Sequence, residues 1–175
     1  WVDHLLRMRT NRGLVGEQGD LSEFLFGSER RPLDEFRAIL REHQSGRCFY
    51  CGQGVTGAGA LDHFIPWVRY PVDLGHNFVF AHPKCNSLKR DYLAHPDHLL
   101  RWREQNLDCA DELGEQFDGV VLRHDAYRSR RIAHWAYEQA ELARARVWVA
   151  ADEFQGLGSE WRRVLRFTNE GAMHV

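Results

Sequence analysis

The sequence predicts an α+β fold in which two short strands feed a helix, with further helices flanking them on both sides. Three observations lead there. Residues 60–65 (ALDHFI) and 78–81 (FVFA) are short runs rich in apolar and aromatic residues, the first cut off by Pro66, with a loop around Pro71 and Gly75 between them. Phe36, Ile39 and Leu40 repeat at the i, i+3, i+4 spacing of a helix face, behind a helix start at Pro32-Leu33-Asp34. Beyond Pro96 the apolar residues again recur at helical spacing.

Taken in order, the first helix should end near Ser45-Gly46, and the glycine-rich stretch 52–60 (GQGVTGAGA) reads as a turn. The helix after the second strand is expected from near Asn86 to about Leu93, because His95-Pro96 disfavours its continuation. Leu99, Leu100 and Trp102 suggest one further helix. A longer one should cover roughly 126–150 with Ile132, Trp135, Ala136 and Leu142 facing inward, and Trp161, Val164 and Leu165 suggest a last short helix. The aromatic residues of this region read as core.

With 175 residues, 43% of them hydrophobic and 12% aromatic, a single domain is expected. It divides into an N-terminal flank over 1–33, a core over 34–95 and a helical C-terminal flank over 96–175. The chain opens at Trp1 without an initiator Met, so an upstream segment is expected to be processed, disordered or left out. No stretch approaches the roughly 20 apolar residues of a membrane span, and no basic-then-apolar leader is present, which points to a cytoplasmic protein.

The formal net charge of −2 means that any nucleic-acid surface must be local, since phosphate affinity comes largely from Lys and Arg. The candidate patches are Lys84/Lys89/Arg90, Arg123/Arg128/Arg130/Arg131 and Arg7/Arg9/Arg12.

The four cysteines are Cys48, Cys51, Cys85 and Cys109. Cys48-Phe49-Tyr50-Cys51-Gly52 is a C-x2-C followed by glycine, a turn from which two thiolates reach one tetrahedral Zn²⁺, and His82-Pro83-Lys84-Cys85 adds an H-x2-C. Together they make a Cys3His set. Four protein ligands leave no open coordination position, so this zinc is expected to be structural. Cys109 is left over and reads as a core residue.

Asp62 and His63 follow Cys51 by eleven and twelve residues, Asn77 follows His63 by fourteen, and Asn86 follows Asn77 by nine. The succession C-x2-C, D-H-x2-P (Asp62-His63-Phe64-Ile65-Pro66), Asn77 and C-N-x2-K (Cys85-Asn86-Ser87-Leu88-Lys89) resembles the HNH endonucleases of the ββα-metal fold, over about residues 43–92. In that family the second zinc pair is usually C-x2-C, where this chain has His82 and Cys85. Histidine is a competent zinc ligand.

The resemblance implies metal-dependent hydrolysis of phosphodiester bonds, with DNA as substrate and restriction or phage defence among the settings. Such hydrolysis needs a base to activate water and a cation to neutralise the charge developing on the phosphate. His63, with a reference pKa of about 6.5, suits the base. The Asp62 carboxylate and the Asn86 side-chain carbonyl suit a hard ion, Mg²⁺ or Mn²⁺. The residue matching Asn77 braces the loop that carries the histidine in that family. Lys89 and Arg90, three and four positions after Asn86, share its helix face and are expected to hold the phosphate. Adjacent strand residues point to opposite faces, so Asp62 and His63 meet at one ion only if the strand ends or distorts there. His76 is a spare candidate, favoured as a loop residue. Two other settings are a zinc-stabilised nucleic-acid-binding module without catalysis, and the cutting arm of a larger assembly or dimer joined through the helical flanks.

Overall fold

A computed structural model describes residues 33–120 and 122–166. The expected patch Arg7/Arg9/Arg12 and nearly all of the 1–33 flank lie outside the described residues. The fold is α+β. Helix α1 spans Asp34–His43, strands β1 and β2 span Ala60–His63 and Phe78–Ala81, and α2 spans Pro83–Lys89. There follow α3 (Pro96–Trp102), a π-helical segment (Arg103–Leu107), α4 (Ala110–Gly119), α5 (Ala126–Leu142), β3 (Arg146–Ala150), β4 (Glu153–Gly156) and α6 (Trp161–Val164).

Strands β1 and β2 pair antiparallel, with Asp62 opposite Val79 and His63 opposite Phe78. All four residues of β2 are buried, because α1 crosses one side of it and buries Phe36 and Leu40 there. Where α1 ends, the Gln44 side chain donates to the Phe80 carbonyl at 2.8 Å and accepts from the Phe80 N–H at 2.8 Å. An amide side chain thus satisfies the Phe80 N–H, which would otherwise be buried without a partner, and shares the carbonyl with another donor. Gly59 sits at φ +68, where a Cβ would lie 2.3 Å from the Phe80 ring, so the turn entering β1 needs glycine at this position.

Two expectations from the sequence need correction. Helix α2 begins at Pro83 rather than Asn86, since proline suits a first helical position, and it ends at Arg90, which has φ +53. The helix expected over 126–150 stops at Leu142, and residues 146–156 form the β3–β4 hairpin instead. Arg144 takes φ +50, which ends the helix, and Val147-Trp148-Val149 supplies strand-forming residues directly after it. Leu142 consequently points outward at 73% exposure, whereas Ile132 and Ala136 are buried and Trp135 is half-buried. The expected helices at 99–102 and 161–164 are present.

The hairpin returns to the core. Trp148 N–H donates to Leu93 O at 2.8 Å and His95 N–H donates to Trp148 O at 2.7 Å, which sets β3 parallel to the linker between α2 and α3. Its indole stacks on the His98 imidazole, with centroids 5.4 Å apart and planes at 15°. His98 Nε2 meets Val149 O at 2.7 Å, its other ring nitrogen faces the Arg101 guanidinium, and Arg101 also donates to Phe49 O and Tyr50 O.

Burial, aided by the Arg101 charge, holds the His98 pKa down at about 4. A histidine kept neutral in the fold contributes stability that is complete above its unfolded value near 6.5 and is lost as pH falls through that window towards 4. Urea titrations between pH 7 and 4 should therefore show a fall in stability, on the order of 3 kcal/mol of it from this residue, and His98→Gln should flatten that slope.

Candidate functional site

The chain from Cys48 to Cys51 makes a tight turn closed by Gly52 N–H to Cys48 O at 2.8 Å, with Gly52 at φ +71. It is tied to the sheet by Phe49 N–H to Phe80 O at 2.9 Å. Strand β2 then delivers His82 to the same place, and the first turn of α2 delivers Cys85. The donor atoms of Cys48, Cys51, His82 and Cys85 all lie within 4.8 Å of one another. Four donors on a zinc ion at about 2.3 Å from sulfur stand roughly 3.5–4 Å apart, so the set can hold zinc after small adjustments.

The chemistry of the donors fits as well. His82 Nδ1 lies 3.3 Å from Cys51 Sγ, and Nε2 lies 3.1 Å from Gly54 O. Donation from Nε2 to that carbonyl leaves Nδ1 as the metal ligand and fixes the ring. Burial pushes the Cys48 thiol up, but the main-chain N–H groups of Cys51, His82 and Tyr50 together hold it below its ordinary value. Burial and the neighbouring Cys48 push the Cys85 thiol up to about 12. Three thiolates in this space therefore need a cation among them. Mg²⁺, which prefers oxygen, does not suit these donors, and zinc does.

Asp62 lies on the face of β1 turned towards α2. Its Oδ2 accepts from the Tyr50 hydroxyl and lies 3.0 Å from the Lys89 ammonium, with side-chain exposures of 8% for Asp62 and 0% for Lys89. Lys89 also donates to His63 O at 3.0 Å. The expectation that Lys89 holds a phosphate at the surface is corrected here: its helix face is the buried one, and the ammonium is spent on Asp62 and the β1 main chain. Burial and the Asp62 carboxylate raise the Tyr50 pKa well above the usual phenol value, so Tyr50 stays a donor. Among the described residues Asp62 Oδ1 takes no hydrogen bond.

His63 is the last residue of β1, and its ring leaves on the other side. It packs on Phe78, with centroids 4.4 Å apart, and on Trp67 at 5.2 Å. Its Nε2 lies 2.8 Å from Asp73 Oδ1, and the pair is 18% and 13% exposed. Among the described residues Nδ1 has no hydrogen-bond partner. Asn77 accepts from Ile65 N–H at 2.9 Å and donates to Ile65 O at 3.0 Å, fixing the chain two residues past His63. Asn86 is half-buried on α2 with no side-chain hydrogen bond, and Arg90 is exposed beyond it. The structure thus gathers the Cys3His set tightly, and separates Asp62 and His63 into different partner sets.

Several residues that position this region carry no sequence signal of their own. Asn106 is fully buried and donates to His76 O at 3.0 Å and Phe78 O at 2.8 Å, while Trp102 donates to His76 O at 3.0 Å. They fix the turn at Gly75–Asn77 that precedes β2. His76 is itself buried, with a pKa lowered by that burial. Arg123, Arg128, Arg130 and Arg131 are half-buried, and Arg131 covers the Tyr127 ring. Among the described residues no helix is long and apolar enough to cross a membrane. Comparison of the chain with protein-family models, with curated proteins and with solved structures finds no match.

Two outcomes follow from the geometry. Metal analysis of the purified protein should find about one zinc per chain through the four-ligand set, and Cys48→Ser should lose it; full zinc in that variant would refute the assignment. Lys89→Met should cost about 3–5 kcal/mol in urea unfolding by leaving Asp62 buried without its cation, and adding Asp62→Asn should restore part of that loss.

Proposed function

We propose that this chain is a metal-dependent endonuclease of the HNH type, hydrolysing phosphodiester bonds with DNA as the foremost substrate. The observation that carries the reading is the His63 ring at the end of β1, held on Nε2 by Asp73, without a hydrogen bond to Nδ1 among the described residues, and 18% exposed. A base needs that condition: a fixed ring with an open lone pair that water can reach. Further support comes from the order of the motif residues and from the packing of α2 on β1, which sets the Asn86 helix behind the Asp62 strand.

In this reading a divalent ion, Mg²⁺ or Mn²⁺, would supply charge neutralisation at the phosphate, with Asp62 Oδ1 and the Asn86 side-chain oxygen as its protein ligands. Oδ2 of Asp62, held by Tyr50 and Lys89, fixes the carboxylate plane and leaves Oδ1 for that duty. Arg90 is the phosphate contact, and Asn77 keeps the loop after His63 in place. The zinc set is structural.

Two observations favour a second reading, a zinc-stabilised nucleic-acid-binding module without catalysis: the Asp62 and His63 side chains leave β1 on different sides with separate partners, and Asp62 is already paired. Asp62 already has a cation in Lys89, and a buried ion pair of this kind needs no further function. Incubation of the zinc-loaded chain with plasmid and single-stranded DNA separates the two. Mg²⁺-dependent cleavage lost at least a hundredfold in His63→Ala supports the nuclease. Binding without cleavage in Mg²⁺ or Mn²⁺, or equal cleavage by the variant, supports the module.

A further inference from the structure

We propose that Asp73 is the positioning residue for His63, selecting the tautomer in which Nε2 carries the proton and Nδ1 is the proton-accepting atom. The inference rests on the nuclease reading and deepens it by naming which atom takes the proton and what holds it ready. Nothing in the succession of motif residues singles out Asp73, which lies in the loop between Pro71 and the turn at Gly75–Asn77.

Three observations carry it. Asp73 Oδ1 stands 2.8 Å from His63 Nε2, and a carboxylate can only accept, so the proton of a neutral imidazole belongs on Nε2. Among the described residues Nδ1, by contrast, has no hydrogen-bond partner, and the side chain keeps 18% of its surface exposed. The ring between them cannot swing freely, because Phe78 and Trp67 pack on it at 4.4 and 5.2 Å. The loop carrying Asp73 is also held in place. Val72 and Leu74 on either side are buried, Val72 N–H donates to Tyr70 O at 2.9 Å, and Gly75 N–H donates to Arg123 O at 2.9 Å.

The oxygen of an attacking water bonds to phosphorus while the bond from phosphorus to the leaving oxygen breaks. One water proton passes to Nδ1, making an imidazolium whose Nε2–H is still donated to Asp73, and the leaving oxygen takes a proton from solvent. Asp73 stabilises that imidazolium without itself taking the proton, as a carboxylate does for a histidine base in general.

The test reads the tautomer directly. Nitrogen-15 spectra of zinc-loaded protein labelled in histidine should show His63 with a protonated Nε2 and a bare Nδ1 at pH 8, and Asp73→Ala should mix the two tautomers. In plasmid cleavage with Mg²⁺, Asp73→Ala should lower kcat about ten- to a hundredfold with KM within about threefold. Asp73→Asn, of nearly the same shape, guards against loss of the loop: its amide accepts or donates, so it too should mix the tautomers. A protonated Nδ1 in the wild type, or an unchanged tautomer and kcat in both variants, overturns the proposal. A chain that cuts nothing overturns the nuclease reading and with it the catalytic duty of Asp73, whereas a chain that cuts through His63 with unaltered kinetics in both variants overturns this inference alone.

Discussion

One buried ammonium holds the centre of this molecule together. Lys89 reaches from the last turn of α2 to the Asp62 carboxylate and to the His63 carbonyl, and it lies 5.9 Å from the centroid of the Tyr50 ring. Helix, strand and cysteine turn therefore share one cation. A fully buried lysine is rare unless paired, because its desolvation is compensated only by close partners. Here the compensation is local and multiple, with two partners on β1 and the Tyr50 ring on the cysteine turn. The geometry of β1, α2 and the Cys48–Cys51 turn is thereby set as a unit.

Around that cation the region is fastened from two directions. On one side stand the four thiolate and imidazole donors, which join chain segments more than thirty positions apart, as from Cys48 to His82. On the other is a neutral polar network: Asn106 and Trp102 hold the His76 carbonyl, and Asn77 holds Ile65. The first fastening has donors that could close on a metal, and the second needs none. His63 and Asp73 lie with the second, so the ring and its partner are positioned chiefly by packing and hydrogen bonds within the protein.

Legibility from sequence followed the range of the interaction. The Cys3His set was visible because each pair lies within one turn of chain, and both strands and α1 were visible from runs of a few residues. The pairing of Asp73 with His63 was not, since it depends on the path of the loop from Phe64 to Leu74, which no periodicity encodes. Lys89 misled for a related reason. Spacing correctly gave its helix, but which face of α2 is covered is decided by β1 packing, not by distance along the chain from Asn86. The last strand pair was hidden by Ala143-Arg144-Ala145-Arg146, good helix formers that the φ of Arg144 takes out of the helix.

The parallel seating of β3 on the Leu93–His95 linker bears on how the chain comes off the ribosome. Synthesis releases the cysteine turn, both core strands and α3 well before Trp148. Until that indole arrives, Tyr50 lacks the ring packed edge-on against it at 5.1 Å, and His98 lacks its stacking partner. The nascent chain thus carries an uncovered aromatic face beside its metal ligands for the time needed to make α4 and α5.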